Sequence, residues 1–277
     1  MKNKKIRNWT IIAIALGLLL IVSCDMRLKV VKYEVHSEKI EKKVRIALVT
    51  DLHGCNYGKN QKNLIEAIEK ENPDVVLLGG DIFDDKVPYE KSRITIQQLA
   101  EKYPCYYVTG NHEYWSNDID TILGMVQECG VTYLSSTCET VEINDQKINV
   151  CGVDDPDVVR YTNDGISFEK QLQNVANMAD TKNFTVLLSH RPELAKLYQQ
   201  HDFDLVLNGH AHGGQWRIPG ILNGLYAPNQ GIFPKYAGGR YDFEHQTMVV
   251  SRGLARESTL VPRIFNRPEL VIIDIFN

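Results

Sequence analysis

Several features that mark common protein classes are missing from this sequence. Its 277 residues contain no low-complexity linker and no internal repeat, so we expect one folded domain with a sizeable core. The net charge of -4 and the pI near 6.1 give no general attraction to polyanions, so we expect no tight nucleic-acid binding. A His-Glu-x-x-His zinc-peptidase motif is also absent, because His112-Glu113 is followed by Tyr114-Trp115-Ser116.

Long apolar runs are scarce as well, and one lies near the start of the chain. It extends from Ile11 to Val22, which is short of the ~20 residues that a membrane-spanning helix needs. A basic stretch precedes it, as in an export signal, and contains Lys2, Lys4, Lys5 and Arg7. The run ends in Ile21-Val22-Ser23-Cys24, which resembles the bacterial lipobox, where the cysteine is lipidated and becomes the mature N-terminus.

Residues 1–24 are therefore predicted to be a signal peptide with a lipobox, or an uncleaved single-span membrane anchor. The shortness of the apolar run favours the signal peptide. A buried core helix is a third alternative, although its basic flank would fit poorly in a core. Each of the first two places the remaining chain at the extracytoplasmic face of the cell membrane, as a lipoprotein or as an anchored protein. The sequence does not indicate an oligomeric state.

Cysteine is also sparse, at six residues, and its spacings match no zinc knuckle. If Cys24 carries lipid, an odd number remains, and an odd set cannot pair completely: Cys55, Cys105, Cys129, Cys138 and Cys151. Cys105 and Cys151 lie in apolar runs that are typical of strands. We expect small buried hydrophobic residues at these two positions rather than functional thiols.

From Leu28 onward the pattern alternates between β and α, so the folded domain is predicted over residues 28–277. The predicted strands are Leu28–Val35 at an edge, Val44–Val49, Val75–Leu78, Tyr106–Val108, a hairpin of Val141–Ile143 and Ile148–Val150, Val186–Leu188, Leu205–Leu207, Met248–Val250 and Leu270–Ile275. The predicted helices are Asn63–Glu69, Phe168–Met178, and two that pass through Ile94–Leu99 and Ile119–Val126. Two β-rich halves, each covered by helices, predict an α/β fold, a layered α-β-β-α sandwich.

The motif Gly209-His210-Ala211-His212-Gly213-Gly214-Gln215 directly follows the predicted strand Leu205–Leu207. Two imidazoles one residue apart can point to one side of an extended segment, and the flanking glycines permit the tight turns that this needs. The alternative is two solvated loop histidines. The remaining polar clusters of the chain favour a metal site.

Five polar clusters each follow an apolar strand: Asp51-Leu52-His53, Gly80-Asp81-Ile82-Phe83-Asp84, Gly110-Asn111-His112-Glu113, Ser189-His190 and the Gly209–Gln215 motif. Each cluster alone could be a helix cap or a turn. Ligands of open α/β sheets bind beyond the carboxyl ends of the strands, so the five clusters are expected to share one crevice.

The candidate metal ligands are Asp51, His53, Asp81, Asn111, His190, His210 and His212. These oxygen and imidazole donors suit Mn²⁺, Fe²⁺ or Zn²⁺ at a catalytic centre, whereas a structural zinc site favours cysteine. Seven protein ligands are too many for one ion that must keep open positions. We therefore predict two divalent metal ions, roughly 3.5–4 Å apart, that share a carboxylate.

These motifs, in this order, resemble the calcineurin-like metallophosphoesterase superfamily over most of residues 44–275. The Gly209–Gln215 motif is similar to the exported or membrane-attached bacterial branch, as are Ser251-Arg252-Gly253-Leu254 and Arg267-Pro268-Glu269. The resemblance implies a phosphoester hydrolase, a phosphodiesterase or phosphatase, in which a metal-bridging hydroxide attacks phosphorus.

The resemblance also implies a role for each residue of the centre. Asp51, His53 and His212 would hold one ion, and Asn111, His190 and His210 the other. Asp81 would bridge the two ions. His112 would bind no metal and would protonate or stabilise the leaving oxygen, with Asp84 paired to it and fixing its tautomer. Glu113 is expected to support these residues or to be solvated.

One departure from the family concerns the substrate. The protein-phosphatase branch has Arg-Gly after this aspartate, whereas Asp84 is followed by Asp85-Lys86, which argues against a phosphoprotein substrate. We expect a phosphoester of a membrane or cell-envelope molecule, because the domain begins within a few residues of Cys24. Two alternatives remain: a non-catalytic metal-binding surface protein, against which His112 and Asp84 argue, and a nuclease with the same two-metal core.

The sequence indicates two further features that could contact such a substrate. Candidate phosphate-contacting cations are Arg191, Arg217, Lys235, Arg240 and Arg252, although each could be an ordinary surface charge. The segment from Trp216 to Gln246 is rich in glycine and aromatic residues, and we expect it either to wall the metal crevice or to be a surface loop packed on itself.

Overall fold

Two six-stranded β-sheets lie face to face, and apolar side chains from both sheets fill the space between them. The computed structural model describes residues 2–163, 165–256 and 261–277. Ile46, Leu48 and Ile273 of one sheet and Leu188 and Leu207 of the other are buried in this central layer. Burying each such side chain contributes about 1.5–3 kcal/mol, so this layer is a main source of stability.

The first sheet has the strand order β1-β14-β2-β3-β4-β5. Its strands are β1 (Lys29–His36), β2 (Val44–Val49), β3 (Val75–Gly79), β4 (Cys105–Val108), β5 (Thr132–Tyr133) and β14 (Glu269–Phe276). Strands β2, β3, β4 and β5 are parallel, so their carboxyl ends lie at one edge of the sheet. Strand β14 lies between β1 and β2, parallel to the first and antiparallel to the second.

The second sheet has the strand order β12-β13-β9-β8-β7-β6. Its strands are β6 (Thr137–Ile143), β7 (Gln146–Gly152), β8 (Phe184–Leu188), β9 (Leu205–Asn208), β12 (Gly239–Asp242) and β13 (Thr247–Val250). Strands β7, β8, β9 and β13 are parallel. The two remaining strands, β10 (Tyr226–Ala227) and β11 (Gly231–Ile232), form a small antiparallel ribbon.

Helices cover the outer face of each sheet. The helices that follow the first strand are α2 (Lys62–Glu71), α3 (Glu90–Ala100), α4 (Asn111–Trp115), α5 (Ile119–Glu128), α6 (Val158–Tyr161), α7 (Phe168–Met178) and α8 (Ala195–Tyr198), whereas α1 (Lys2–Ser23) precedes β1 and has mostly exposed side chains among those described. Leu64 and Ile68 of α2 pack against the first sheet, together with apolar residues of α3 and α5. Leu172 and Val175 of α7, with Tyr198 of α8, pack against the second sheet. This arrangement confirms the predicted α-β-β-α sandwich.

The strand predictions agree with the structure apart from their ends. The hairpin is longer than predicted, because each of its strands extends over 7 residues rather than three. Hairpin pairing continues past the alternating residues, and it places Cys138 directly opposite Cys151. A disulfide joins these two residues. The prediction that Cys151 is merely a small buried hydrophobic residue was therefore wrong, whereas Cys105 is buried with a free thiol.

The residues of the predicted signal or anchor form α1, which ends at Ser23. The backbone N–H of Phe265 donates a hydrogen bond to the Ser23 carbonyl oxygen at 2.7 Å, so the end of the helix is tied to the folded domain. Cys24, the predicted lipid attachment site, is exposed. Within the described residues, no helix is both long enough and apolar enough to cross a membrane.

Candidate metal centre

All seven candidate metal ligands lie in segments that follow parallel strands. Asp51 and His53 follow β2, Asp81 follows β3, and Asn111 begins the helix after β4. The second sheet supplies the other three, with His190 after β8 and with His210 and His212 after β9. The two sheets face each other, so these segments meet at the seam between them. The side chains of all seven ligands are buried.

The backbone at most of these ligands has an uncommon conformation. Five of the seven adopt positive φ values: Asp51 (51°), His53 (48°), Asp81 (51°), His210 (66°) and His212 (46°). Residues other than glycine disfavour this left-handed region, at a cost of about 1–3 kcal/mol each, and such residues cluster at functional sites. Hydrogen bonds between neighbouring loops hold the conformation, as between Asp51 N and Gly80 O at 3.0 Å and between His53 N and Asp81 O at 3.0 Å.

Two glycines allow the ligand loops to approach each other closely. A Cβ atom at Gly110 would lie 2.2 Å from Asp81 Oδ1, and one at Gly209 would lie 2.5 Å from Asp51 Oδ2. Any side chain at these positions would displace a candidate ligand. The glycines that precede Asn111 and His210 are therefore required by the packing of the centre.

The ligand atoms form two groups that share Asp81. One group contains Asp51, His53, Asp81 and His212, and the other contains Asp81, His190 and His210; within each group the ligand atoms lie within 4.8 Å of one another. Asp81 Oδ2 lies 3.6 Å from His53 Nε2 and 3.0 Å from His190 Nε2. This geometry matches the expected bridging position of Asp81 between two ions.

Several buried polar atoms of the centre have no hydrogen-bond partner, counted over the described part of the chain. They are Asp81 Oδ2, His53 Nε2, His190 Nε2, His212 Nδ1 and Asn111 Oδ1. The 3.0 Å approach of Asp81 to His190 lacks hydrogen-bond geometry. A buried polar atom without a partner costs about 1–3 kcal/mol. Carboxylate, amide and imidazole atoms are ligands of divalent cations, so the residues present fit two such ions.

Hydrogen bonds on the far side of each ring select which imidazole nitrogen is available. Nδ1 of His53 donates to Asp84 Oδ2 and Nδ1 of His190 donates to the Gly79 carbonyl, both at 2.8 Å. Nε2 of His210 donates to Asn229 Oδ1 at 3.0 Å. These contacts leave Nε2 of the first two rings and Nδ1 of His210 as the nitrogens available to a metal ion.

Burial and charge set the protonation of the centre. Burial opposes ionisation of Asp81, but the neighbouring charges of His190, His112 and His53 outweigh it and hold the pKa of Asp81 well below its usual value. Burial also disfavours a charged His190, yet Asp81 raises the pKa of His190 to about 10. Burial lowers the pKa of His210 and of His212 well below 6.5. Those two imidazoles are therefore neutral, the form that binds metal.

His112 lies at the mouth of the centre, where its side chain keeps 19% of its exposure. Its ring centroid is 4.4 Å from that of His53. Nδ1 of His112 donates to Asp85 Oδ1 at 2.7 Å, whereas Asp84 Oδ2 is 3.5 Å away. The partner expected from the sequence was Asp84. Asp84 instead accepts the Lys86 backbone N–H and faces His53, so Asp85 is left to hold His112.

Glu113 has a supporting role that the sequence left undecided. Its fully buried carboxylate accepts hydrogen bonds from the backbone N–H groups of Gly110, Asp81, Ile82 and Phe83, at 2.8–3.1 Å. It thereby joins the loop after β3 to the start of α4. A glutamate three residues after Gly110 is a helix-capping pattern, which is the sequence signal for this role. A solvated Glu113 is ruled out by its burial.

Most of the candidate phosphate-contacting cations have partners within the protein. Arg191 is buried, donates to Asp155 Oδ1 at 2.8 Å, and also donates to Asn229 Oδ1 at 2.9 Å. Through Asn229 it positions His210. Arg252 donates to Asn223 Oδ1 at 2.7 Å, and Arg240 donates to Asp242 Oδ1 at 2.7 Å. Arg217 is half-buried and its Nε has no hydrogen-bond partner among the residues that the structure describes, and Lys235 is exposed, 5.0 Å above the Tyr236 ring.

The aromatic segment that follows the metal loop divides into two parts. Trp216, Tyr226 and Phe233 are exposed. Tyr236 is buried against the second sheet, and Tyr241 and Phe243 pack against the same core. The second half of the segment is thus packed on the core, and the exposed aromatic residues lie in its first half.

Comparison with known proteins identifies relatives of this chain. A family model described as calcineurin-like phosphoesterase matches residues 44–214. A Danio rerio protein named as a transmembrane protein with a metallophosphoesterase domain is 31% identical over 80% of this chain and 51% of its own length. An uncharacterized metallophosphoesterase of Aquifex aeolicus is 31% identical over 90% of this chain and 92% of its own length.

These matches differ in how much of each relative they cover. The chain spans about half the length of the Danio rerio protein and of other curated relatives. Among solved structures, the 5'-nucleotidase precursor from Thermus thermophilus superimposes with a TM-score of 0.52 at 14% identity, covering 78% of this chain and 50% of that one. At that identity the likeness shows a shared fold.

The shared position of Asp81 predicts a defect in metal binding when its charge is removed. We expect Asp81→Asn to lose at least one of two bound ions, because a neutral amide replaces the carboxylate between two cations. Metal content after dialysis, measured by mass spectrometry, reports the loss. Asp202→Asn makes the same change at an exposed position and should keep wild-type stoichiometry. Two tightly held ions in Asp81→Asn would refute the bridging role.

The two neighbouring carboxylates should differ in their effect on metal binding. Asp84→Asn is expected to weaken metal affinity about 10–100-fold, because Asp84 orients His53. Asp85→Asn should leave the affinity unchanged, because Asp85 contacts His112 and no candidate ligand. Titration of both metal-free variants with Mn²⁺ in a calorimeter compares them directly. Equal losses, or a loss in Asp85→Asn alone, would contradict this assignment.

Proposed function

This chain belongs to the calcineurin-like phosphoesterase family, and from its metal centre we propose that it hydrolyses phosphoester bonds with two divalent metal ions. The observation that carries the proposal is the set of buried ligand atoms without hydrogen-bond partners that surrounds the shared carboxylate of Asp81. In the proposed arrangement Asp51, His53 and His212 hold one ion, and Asn111, His190 and His210 hold the other.

The chemistry of the reaction divides between the ions and the protein. When bound, two divalent ions lower the pKa of a water molecule and neutralise phosphate oxygens. The protein holds the ligands at fixed positions through Asp84, Gly79, Asn229 and Glu113, so little reorganisation is needed during the reaction. Their contacts with the ligand loops support this role.

His112 is the proposed general acid, the group that protonates the leaving oxygen. It is the one histidine of the centre that keeps exposure and lies at the mouth, where a substrate would enter. Asp85 accepts a hydrogen bond from Nδ1–H, which leaves Nε2 to carry the proton that is transferred. An alkoxide leaving group needs such a proton, whereas a stable phenolate needs it less.

The proposed substrates are phosphodiesters or phosphomonoesters of membrane or cell-envelope molecules. Asp85-Lys86 replace the Arg-Gly of the protein-phosphatase branch. Asp85 accepts a hydrogen bond from His112, so the replaced position contacts the proposed general acid. Exposed Trp216 and Phe233, which follow the metal loop, offer apolar surface for a lipid-like substrate.

Hydrolysis assays with chromogenic substrates test the proposal directly. We expect the purified chain to hydrolyse an aryl phosphodiester or an aryl phosphomonoester when Mn²⁺ is added, and to lose that activity after chelation. Comparison of the two rates assigns the diesterase or monoesterase class. Binding of two ions without hydrolysis of either substrate would indicate a non-catalytic metal-binding protein, and hydrolysis of DNA alone would indicate a nuclease.

Replacement of His112 separates chemistry from metal binding. We expect His112→Ala to keep both ions and to lose about 100–10,000-fold in turnover of substrates with high-pKa leaving groups, with smaller losses for good leaving groups. Asp85→Asn should give a milder loss of about 10–100-fold. His245→Ala, at an exposed histidine, is the control and should behave as wild type. Equal losses across a leaving-group series would show that His112 is not the acid.

We further propose that the domain is attached to the extracytoplasmic face of the cell membrane through lipid on Cys24. The exposed Cys24 and its lipobox-like sequence support this location, and the Danio rerio relative is named as a transmembrane protein. One acyl chain alone binds a bilayer only marginally, so a diacylated end is expected.

A cysteine variant distinguishes lipid attachment from an uncleaved anchor. Cells grown with labelled fatty acid should yield labelled wild-type protein in the membrane fraction, and Cys24→Ser should be unlabelled. Cys129→Ser is the control, because Cys129 is a free cysteine away from the predicted lipobox, and it should be labelled normally. The lipobox prediction would be refuted if the wild-type and Cys24→Ser proteins were both membrane-bound and identical in size.

A further inference from the structure

A group of large apolar side chains is exposed directly after the metal loop. Trp216, Ile218, Ile221, Ile232 and Phe233, hereafter the loop face, expose 43%, 50%, 85%, 69% and 68% of their surface. Single exposed apolar residues are common in soluble proteins, but contiguous patches mark interaction surfaces.

Backbone hydrogen bonds bring the three pieces of the loop face together. Leu225 N donates to Trp216 O at 2.9 Å, and Phe233 N donates to Leu225 O at 2.8 Å, so the three chain pieces lie side by side. Ile221 lies in a tight turn closed by the pairing of Ile218 with Leu222. The chain pieces that carry the loop face thus lie side by side on one small scaffold.

Every charged residue of the segment that carries the loop face is a cation, although Arg240 is paired with Asp242 just beyond it. Residues 214–241 contain no aspartate or glutamate, and their charged residues are Arg217, Lys235 and Arg240. The chain as a whole is acidic, with a net charge of -4, so this segment departs from the average of the molecule. An apolar surface bordered by cations complements a bilayer with anionic headgroups, which is apolar inside and negative outside.

The loop face also lies beside the end of α1. Phe265 N donates to Ser23 O at 2.7 Å, and Arg217 N donates to Ile264 O at 2.9 Å, so the same short segment contacts both. The side chains of Leu20, Ile21 and Val22, at the end of α1, are exposed. The loop face therefore lies near the end of α1 and near Cys24, which directly follows it.

We propose that the loop face inserts into the surface of an anionic phospholipid bilayer, beside Cys24, the proposed point of attachment to the membrane. Ile221 and Phe233 enter the acyl-chain region, and Lys235 lies at the headgroups. The cations Arg217 and Lys235 and the proximity of the loop face to Cys24 favour a bilayer over a second copy of this chain. Insertion is a property of the surface and does not depend on hydrolysis, so it can succeed or fail separately from the proposed function.

Docking in this way would orient the metal centre. His212 is four residues before Trp216, and the Gly214 carbonyl accepts a hydrogen bond from Leu225 at 2.9 Å, so the metal loop and the loop face share a scaffold. A docked domain therefore holds its metal crevice next to the headgroups, where phosphoesters of lipids lie. This consequence rests on the proposed function, whereas the docking does not.

Fluorescence quenching by brominated lipid tests the insertion in the full chain. The protein is reconstituted in phosphatidylglycerol and phosphatidylethanolamine vesicles with brominated acyl chains, which quench only tryptophans within the bilayer. Trp9→Phe removes the tryptophan of α1 and leaves Trp115 and Trp216. We expect brominated lipid to quench the Trp216 emission of the Trp9→Phe protein. It should cause no quenching in the Trp9→Phe/Trp216→Phe protein.

Charged substitutions in the Trp9→Phe background identify the residues that insert. Ile221→Asp/Phe233→Asp should abolish the quenching of Trp216 while the thermal unfolding midpoint and metal content stay unchanged. Met178→Asp/Val159→Asp is the matched control, with two exposed apolar residues elsewhere on the surface, and should keep the quenching.

Two results would overturn the proposal. One is equal quenching in Trp9→Phe and Trp9→Phe/Trp216→Phe proteins, which would mean that the loop face stays outside the bilayer. The other is a dimer in lipid-free solution that Ile221→Asp/Phe233→Asp dissociates, combined with unquenched Trp216 in vesicles. That combination would assign the loop face to a second copy of the chain.

Discussion

The structure depends on a buried negative charge placed between buried imidazoles. Asp81 is fully enclosed, and its Oδ2 atom has no hydrogen-bond partner within the described residues. Desolvating a carboxylate costs several kcal/mol unless positive charge compensates for it. Left-handed backbone at five of the candidate ligands adds strain to that cost. Two bound cations would offset both, so metal binding and local stability are expected to be coupled at this site.

The remaining parts of the molecule keep this arrangement in place. The first sheet supplies every oxygen ligand and one imidazole, and the second sheet supplies the other three imidazoles. The central apolar layer fixes the two sheets relative to each other. Glu113 binds four backbone N–H groups of the oxygen-ligand loops, and Asn229 holds His210 from the opposite side. The centre is therefore assembled only when both sheets are formed and packed.

Sequence patterns predicted the sandwich and placed the candidate ligand loops after its strands for a clear physical reason. Apolar runs must be buried, and polar residues directly after them must lie at the sheet edge, so strands and ligand loops can both be read from the chain. The choice between Asp84 and Asp85 could not be read, because adjacent residues of a turn point in directions set by its local hydrogen bonds. Asp84 accepts the Lys86 N–H and turns to His53. The partnership of Arg191 with Asn229 and the packing of Tyr236 depend on tertiary contacts between distant segments, which leave no local pattern.

The position of β14 has a consequence for how the chain folds. It lies between β1 and β2, so Lys29 of β1 pairs with Glu269, and the β1 edge has no other strand beside it among the described residues. Closing a loop over so large a separation costs conformational entropy. Folds dominated by such long-range contacts therefore form slowly. During synthesis the first sheet stays incomplete until β14 has emerged, although β2, β3 and β4 can already pair. Completion of the first sheet, and with it the final packing behind Asp51 and Asp81, is therefore expected to be the last step of folding.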